Sequence, residues 1–276
     1  MDVIIDKTAK IGLNVTIREG TTIGENVVIE DNVYIDYHCI IRDNVHIKKN
    51  SFIGAKSILG EYLVDFYENR KNKIHRLVIG ENALIRTENV IYGNTTIGDN
   101  IITGHKVNIR EDSSIGNNVR VGTLTDIQGR CEIGDFTSIH SNVFICEFTK
   151  IKNYVWIFPH VILTNDNTPP SNENQGPILD DFSVIGANSI IFPNILIGEG
   201  SLVAAFSLVK ENVRKEMLFA GNPGKEICPV KNLINKFTGE QAYPWKYHFE
   251  RGMPWAGKGY EQWYNSINID EIIRTK

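Results

Sequence analysis

An all-β solenoid is the fold class this sequence predicts. Three observations lead there. Isoleucine stands at every sixth position from Ile11 to Ile35. The same phase then holds over most of the chain. A glycine follows many of these isoleucines. A helical face repeats near 3.6 residues and a half-buried strand at 2, so a period of six belongs to a larger repeating unit.

The register runs in three blocks. Ile5 opens the first, which continues through Ile53. The second begins at Ile79 and passes Thr103, Val121, Ile139, Ile145 and Ile157 to reach Leu163. The third holds Ile185, Ile191, Ile197, Val203 and Val209. Two residues before the anchor stands a small or β-branched residue, as at Val15, Thr21, Val27, Cys39 and Ser51. Glycine follows the anchor at 12, 24, 54, 80, 98, 116, 122, 134, 186 and 198.

Each unit is therefore a short strand and a corner. The anchor and the smaller residue two before it point inward, and glycine or asparagine relieves the corner. Three units close a triangular turn of about eighteen residues, and turns stack at the strand spacing of about 4.8 Å. Stacking buries a core that no single repeat could bury.

Two stretches interrupt the register. The first, 54–78, carries Tyr62, Phe66, Tyr67, Arg70, Lys71 and Lys73 and reads as a surface excursion or a wall of a substrate site. The second, 164–184, is rich in proline, asparagine and glycine and reads as an extended loop. The β-helix domain is expected over 1–213 and a tail over 214–276. In that tail "VKNLINKF" and "GYEQWYNSINIDEIIRTK" show helical spacing, and the tail aromatics are expected to pack on a prism end or a second subunit.

Composition narrows the function. The net charge of −4 offers no basic surface for nucleic acid. No apolar run approaches the length of a spanning helix, and the N-terminus lacks a signal-peptide pattern. The four cysteines lack CxxC spacing, which disfavours a disulfide framework or a zinc site. A cytoplasmic, soluble protein with no membrane or nucleic-acid partner is expected.

The hexads of aliphatic–Gly resemble those of the left-handed parallel β-helix, the fold of the hexapeptide-repeat acyltransferases, over roughly residues 3 to 225. The left hand comes from this resemblance, since parallel crossovers are ordinarily right-handed. The full fold class is thus a left-handed parallel β-helix of hexapeptide repeats with two loop insertions and a small helical tail.

Eighteen-residue stacking places Glu147 on Asn165, beside Asp166, and Asn142 on His160. Two carboxylates at one outward corner should raise at least one pKa unless a cation lies between them, and an amine substrate supplies that cation. The stretch "PHVILTNDNTPPS" with the acid of "ICEFT" is similar to N-acetyltransferases of nucleotide-linked amino sugars, most closely those acting on dTDP-3-amino-3,6-dideoxyhexoses. That resemblance implies acetyl transfer from acetyl-CoA to the sugar amine, in surface polysaccharide or glycan biosynthesis. It implies Glu147 and Asp166 on the amine, and His140 and Asn142 beside the thioester. Asn165, His160, Trp156 and Tyr62 are assigned to the substrate.

"FAGNPGKEI" resembles the segment that ends the prism beside coenzyme A in this family. Pro223 and Lys225 are assigned to the acetyl-CoA co-substrate, with Gly186, Ala204 and Ala205, whose small side chains would let the pantetheine arm lie on backbone. No metal is expected. A homotrimer with its sites at the interfaces is implied by the same resemblance.

Three alternatives stay open. A sugar O-acetyltransferase would need His140 as base. A metal enzyme of the carbonic anhydrase type needs three converging histidines, which the stacking does not supply. A scaffold without catalysis is the third.

Overall fold

The computed structural model describes residues 2–71 and 74–274. The chain forms a left-handed parallel β-helix of about 12 turns. Three parallel sheets make its faces, with 11, 10 and 12 strands. We call them A, B and C in the order the chain meets them. Most strands are only two residues long, because each ends at a corner.

The sixfold register becomes the inner wall. On face A, Ile5 pairs with Ile23, Ile23 with Ile41, Ile41 with Leu59, and Leu59 with Ile91. The anchors from Ile23 to Val209 are buried, as are the smaller companions Val27, Val33, Cys39 and Val45. Each buried isoleucine contributes about 1.5–3 kcal/mol, so the ladder as a whole holds the prism. Several polar companions send their hydroxyl to a backbone carbonyl of the next turn, as Thr125 does to His140 (2.8 Å) and Thr137 to Lys152 (2.9 Å).

The corners demand a left-handed residue. Asparagine tolerates that conformation better than most residues, and it fills many of these positions. Along the B–C corner, Asn14, Asn32, Asn50, Asn82 and Asn100 form a hydrogen-bonded ladder. Higher up, the same corner switches to aromatic rings. Phe136, Tyr154 and Phe182 stack with centroids 5.4 and 4.8 Å apart.

Both excursions are shorter than the sequence pattern suggested. Leu59 and Leu179 lie in strands and keep the inward phase, so the chain leaves the ladder only over 62–76 and 164–177. A short helix, α1 (Val64–Glu68), sits in the first excursion. Lys73, named in the sequence reading of that excursion, lies outside the described residues.

The tail also differs. Sheet C continues past residue 213 through a strand at Met217–Gly221 and a hairpin partner at Gly224–Pro229. "VKNLINKF" is not a helix beyond a single turn at Val230–Asn232. Asn235 accepts the amides of Phe237 and Thr238, a local turn that competes with helix. The final stretch does form a helix, α2 (Tyr260–Arg274). The tail packs against the side of the prism rather than its end. Trp245, Trp255 and Tyr260 bury themselves on Phe182 and Val184, covering the aromatic part of the B–C corner and the neighbouring strip of face C. No described helix is long and apolar enough to cross a membrane.

Candidate active site

The predicted site residues gather at two corners that flank face A. His140, Asn142 and His160 stand at the C–A corner. Glu147, Asn165 and Asp166 stand at the A–B corner. The strand Phe144–Ile145 runs between them. From Asn142 to Phe148 the extended chain spans at most about 20 Å.

His140 follows the strand Ser138–Ile139. Its amide donates to Ile157 O (2.8 Å), and its carbonyl accepts from Thr125 Oγ1, so the backbone here is held from both sides. The ring lies flat on Phe158 of the next turn, centroids 4.6 Å apart, and tilts against Trp156 at 6.1 Å. Nε2 is buried without a hydrogen-bond partner. Burial lowers the imidazole pKa, which keeps the ring neutral near pH 7. Asn142 and His160 occupy equivalent left-handed positions on successive turns, and both are exposed.

The opposite corner is ionic. Glu147 Oε1 accepts from Arg130 Nη1 at 2.8 Å. Arg130 also covers the Phe148 ring at 5.5 Å. Asp166 turns into the loop it opens. Its Oδ1 accepts from the Thr168 amide (2.9 Å) and the Ser171 hydroxyl (2.8 Å), and Oδ2 from the Ser171 amide (2.7 Å). Partial burial pushes the Asp166 pKa up, but these three donors outweigh it and hold the carboxyl below its ordinary value. The raised pKa expected for adjacent acids is therefore not what Asp166 shows. Each carboxylate has its own donors, and Arg130 supplies the cation that the sequence reading assigned to the substrate.

The loop is pinned at its neck. Asn165 O accepts from the Gln175 amide at 2.8 Å. Gly176 then lies on the backbone of the turn below, where a Cβ would come within 2.5 Å of Phe148 C. The loop thus leaves and rejoins the prism beside Glu147.

The residues assigned to acetyl-CoA share the C–A corner with His140, higher up the prism. A Cβ on Gly186 would stand 2.5 Å from Ala205 N, so this strip is flat because backbone stacks on backbone. The hairpin turn that carries Pro223 meets the same corner, with the Gly221 amide donating to Ser207 Oγ at 3.3 Å. Lys225 pairs across the hairpin with Ala220. The strip and hairpin offer a smooth surface with one cation, which fits an extended acyl carrier.

Tyr62 joins neither group, and Trp156 reaches the C–A corner only through the edge of the His140 ring. Trp156 lies under the tail, edge-on to Trp245 (6.0 Å) and Phe249 (5.4 Å), with Nε1 buried and unpartnered. It lines a cleft of about 180 Å³ with Phe158, Val184, Tyr243, Trp245 and Phe249. Tyr62 stacks on Phe66 (3.7 Å) beneath Arg42 (4.4 Å). The strand that precedes it, Ile58–Glu61, is four ladder steps below that of Phe144, about 19 Å along the prism.

Sequence reasoning missed several partners. Arg130 is one. Phe158, the platform for His140, is another, although it stands eighteen residues on. Glu111 is a third, two turns below Glu147 at the same corner and paired with Arg110 at 2.7 Å. Stacking arithmetic applied downward from Glu147 would have found it. Among the described residues, no group of three or more His, Cys, Asp or Glu side chains is placed to share a metal.

Residues 1–95 match the profile of the family described as the GMPPB C-terminal domain. A 2,3,4,5-tetrahydropyridine-2,6-dicarboxylate N-acetyltransferase of Clostridium perfringens is 45% identical over 53 residues, 19% of this chain and 22% of the relative. The chain thus spans about a fifth of the length of the curated relatives it matches. Among solved structures, the UDP-N-acetylglucosamine O-acyltransferase (LpxA) of Moraxella catarrhalis is 21% identical over 83% of this chain and 74% of its own, with a TM-score of 0.44. Soybean serine acetyltransferase is 31% identical over 36% of this chain and 40% of its own, with a TM-score of 0.32.

Proposed function

We propose that this chain moves acetyl from acetyl-CoA to the amine of a nucleotide-linked amino deoxysugar, with a dTDP-3-amino-3,6-dideoxyhexose as the favoured acceptor. One observation carries the reading. Face A separates a corner bearing two carboxylates and a pinned loop from a corner bearing a neutral histidine and a flat strip for an acyl carrier. The name of the Clostridium perfringens relative, an N-acetyltransferase, supports transfer to nitrogen.

The division between corners supports a site completed by two copies of the chain. Phe144 and Ile162 stand outward on face A between the corners and are more than a third exposed. A second copy covering this face would bring its own loop corner toward His140. A homotrimer arranges three such contacts around one axis.

In this account Glu147 and Asp166 orient the amine. A carboxylate offers about four acceptor positions, and Asp166 uses three within the loop, which leaves one for an amine N–H. Gly186, Ala204, Ala205, Pro223 and Lys225 hold acetyl-CoA, which supplies the activated acyl group. The new C–N bond forms as the C–S bond breaks, and the departing thiolate takes the amine proton. Asn142 offers its amide to the developing oxyanion. Holding amine and thioester in contact contributes much of the rate.

A second reading has its own support. The neutral His140 imidazole, with Nε2 unpartnered, is competent as a general base, as an O-acetyltransferase would need. Coenzyme A release against 3-amino, 4-amino and 3-hydroxy deoxysugars on dTDP and UDP separates the two. Turnover confined to amino sugars is expected. Turnover confined to hydroxy sugars would replace the first reading with the second.

A further inference from the structure

Below His140 runs a groove of about 260 Å³ along the edge of face C. Arg86 and Arg120 line it, Gly104 and Gly122 form its floor, and His140 closes its upper end. No carboxylate lines it, in a chain of net charge −4. Both arginines are exposed, and among the described residues neither guanidinium pairs with an acid or a carbonyl. Among the other arginines, Arg42, Arg110, Arg130 and Arg214 each hold a glutamate within 3.4 Å. Gly252 of the tail leaves room for Arg120, since a Cβ there would stand 2.9 Å from Nη2.

The backbone points the same way. At the B–C corner, the first amide of several turns is capped by a side chain of the next turn. Asp99 Oδ1 takes the Glu81 amide (2.8 Å), Asp135 Oδ1 the Asn117 amide (2.6 Å) and Asp181 Oδ1 the Asn153 amide (2.8 Å). The equivalent amides in the groove belong to Thr123 and Ser141. Among the described residues nothing accepts from them. Gly104 and Gly122 keep them uncovered, because a Cβ at 104 would lie 2.3 Å from Thr123 N and one at 122 would lie 2.4 Å from Ser141 N. Two free guanidinium groups two turns apart, with two uncapped amides on adjacent turns above Arg86, form a cradle for an extended anion.

We propose that this groove binds the diphosphate of the acceptor, so that a nucleoside diphosphate lies on the turns of Arg86 and Arg120 and its sugar meets His140. The inference rests on the nucleotide-sugar reading above. The acyl carrier then occupies the opposite side of His140, on the Gly186–Ala205 strip. A diphosphate also occurs in coenzyme A, and the experiment separates the two sources.

Titration calorimetry of dTDP, inorganic pyrophosphate and coenzyme A should be run on the wild type and on the double variant Arg86→Gln/Arg120→Gln, with circular dichroism as the folding control. Both side chains are exposed, so the variant keeps the core. Losing two charge-assisted contacts should weaken dTDP and pyrophosphate about tenfold or more and leave coenzyme A unchanged. Wild-type affinity for dTDP should fall as salt rises. Unchanged dTDP binding in the variant, no dTDP binding by the wild type, or a loss confined to coenzyme A would each overturn the assignment. Binding is read without turnover, so failure of the N-acetyl reading in the sugar panel is a separate result.

Discussion

Arg130 Nη1 stands 2.8 Å from Glu147 Oε1, so the carboxylate best placed to receive a substrate amine already has a cation beside it. Both side chains are partly exposed, and such a pair contributes under about 1 kcal/mol. Arg130→Ala should therefore leave the melting temperature nearly unchanged. It should lower the KM for the amino sugar, because the ammonium no longer competes with a guanidinium. Glu147→Gln should raise that KM about tenfold with little change in stability. Steady-state kinetics of the two variants checks the pair. An unchanged KM in both would remove Glu147 from amine binding.

Asp166 organises the loop through Ser171 and Thr168, and its pKa is depressed. A carboxyl with a depressed folded pKa contributes order that is present above its unfolded value, about 3.9, and is lost as pH falls through the folded value. Ser171→Ala should raise the Asp166 pKa and loosen the loop. Carboxyl-carbon NMR titration reads the first effect and hydrogen exchange of the Ser171–Gln175 amides the second.

His140 presents the converse sign. Burial depresses its pKa, so the folded state resists protonation that the unfolded chain accepts near pH 6.5. Stability should fall as pH drops from about 6.5 toward the folded value, and this slope should vanish in His140→Phe. Phenylalanine keeps the stack on Phe158. If the departing thiolate takes the proton, His140→Phe retains N-acetyl turnover within about tenfold. A general base would instead cost about 10²–10⁴-fold.

The tail is held by aromatic burial. Trp255 is 1% exposed and touches Tyr154, Phe182, Trp245, Tyr260 and Trp263. Trp255→Ala should cost about 3–5 kcal/mol of local stability and release the tail from face C. Limited proteolysis should then cut within 230–260 while the prism stays intact. A tail as resistant as the wild type would show that another contact holds it.

The prism was legible because one physical demand, an aliphatic side chain pointing inward every sixth residue, repeats through three long blocks of the chain. Even Leu59 and Leu179 obey it. They were read into the excursions because the register was taken to stop at Ile53 and Leu163, although Leu59 stands six residues after Ile53 and is followed by Gly60. The corner chemistry was harder to see. Periodicity places Cα atoms, and so it stacked Asn142 with His160 and Glu147 with Asn165. It does not place the tip of a long side chain, so Arg130 went unnoticed as the partner of Glu147. Asp166 prefers donors two and five residues away, a local turn that stacking arithmetic does not consider. The tail's docking surface was written in Tyr154 and Phe182, aromatic residues at a corner that asparagine fills lower down the prism. "VKNLINKF" misled because apolar spacing mimics a helix while Asn235 captures the backbone locally.

The claim that most needs testing is that the two corners act together across copies of the chain. Two variants suffice. Ala205→Trp blocks the strip at the C–A corner, and Glu147→Gln/Asp166→Asn disables the A–B corner. Each alone should release little coenzyme A with the preferred amino sugar. Co-expressed in equal amounts, they should recover about a quarter of wild-type turnover if random mixing pairs an intact strip with an intact loop corner across an interface of a cyclic assembly. Recovery at that level is the predicted result. No recovery from mixed assemblies that demonstrably contain both chains would contradict the account and place the reaction within a single chain.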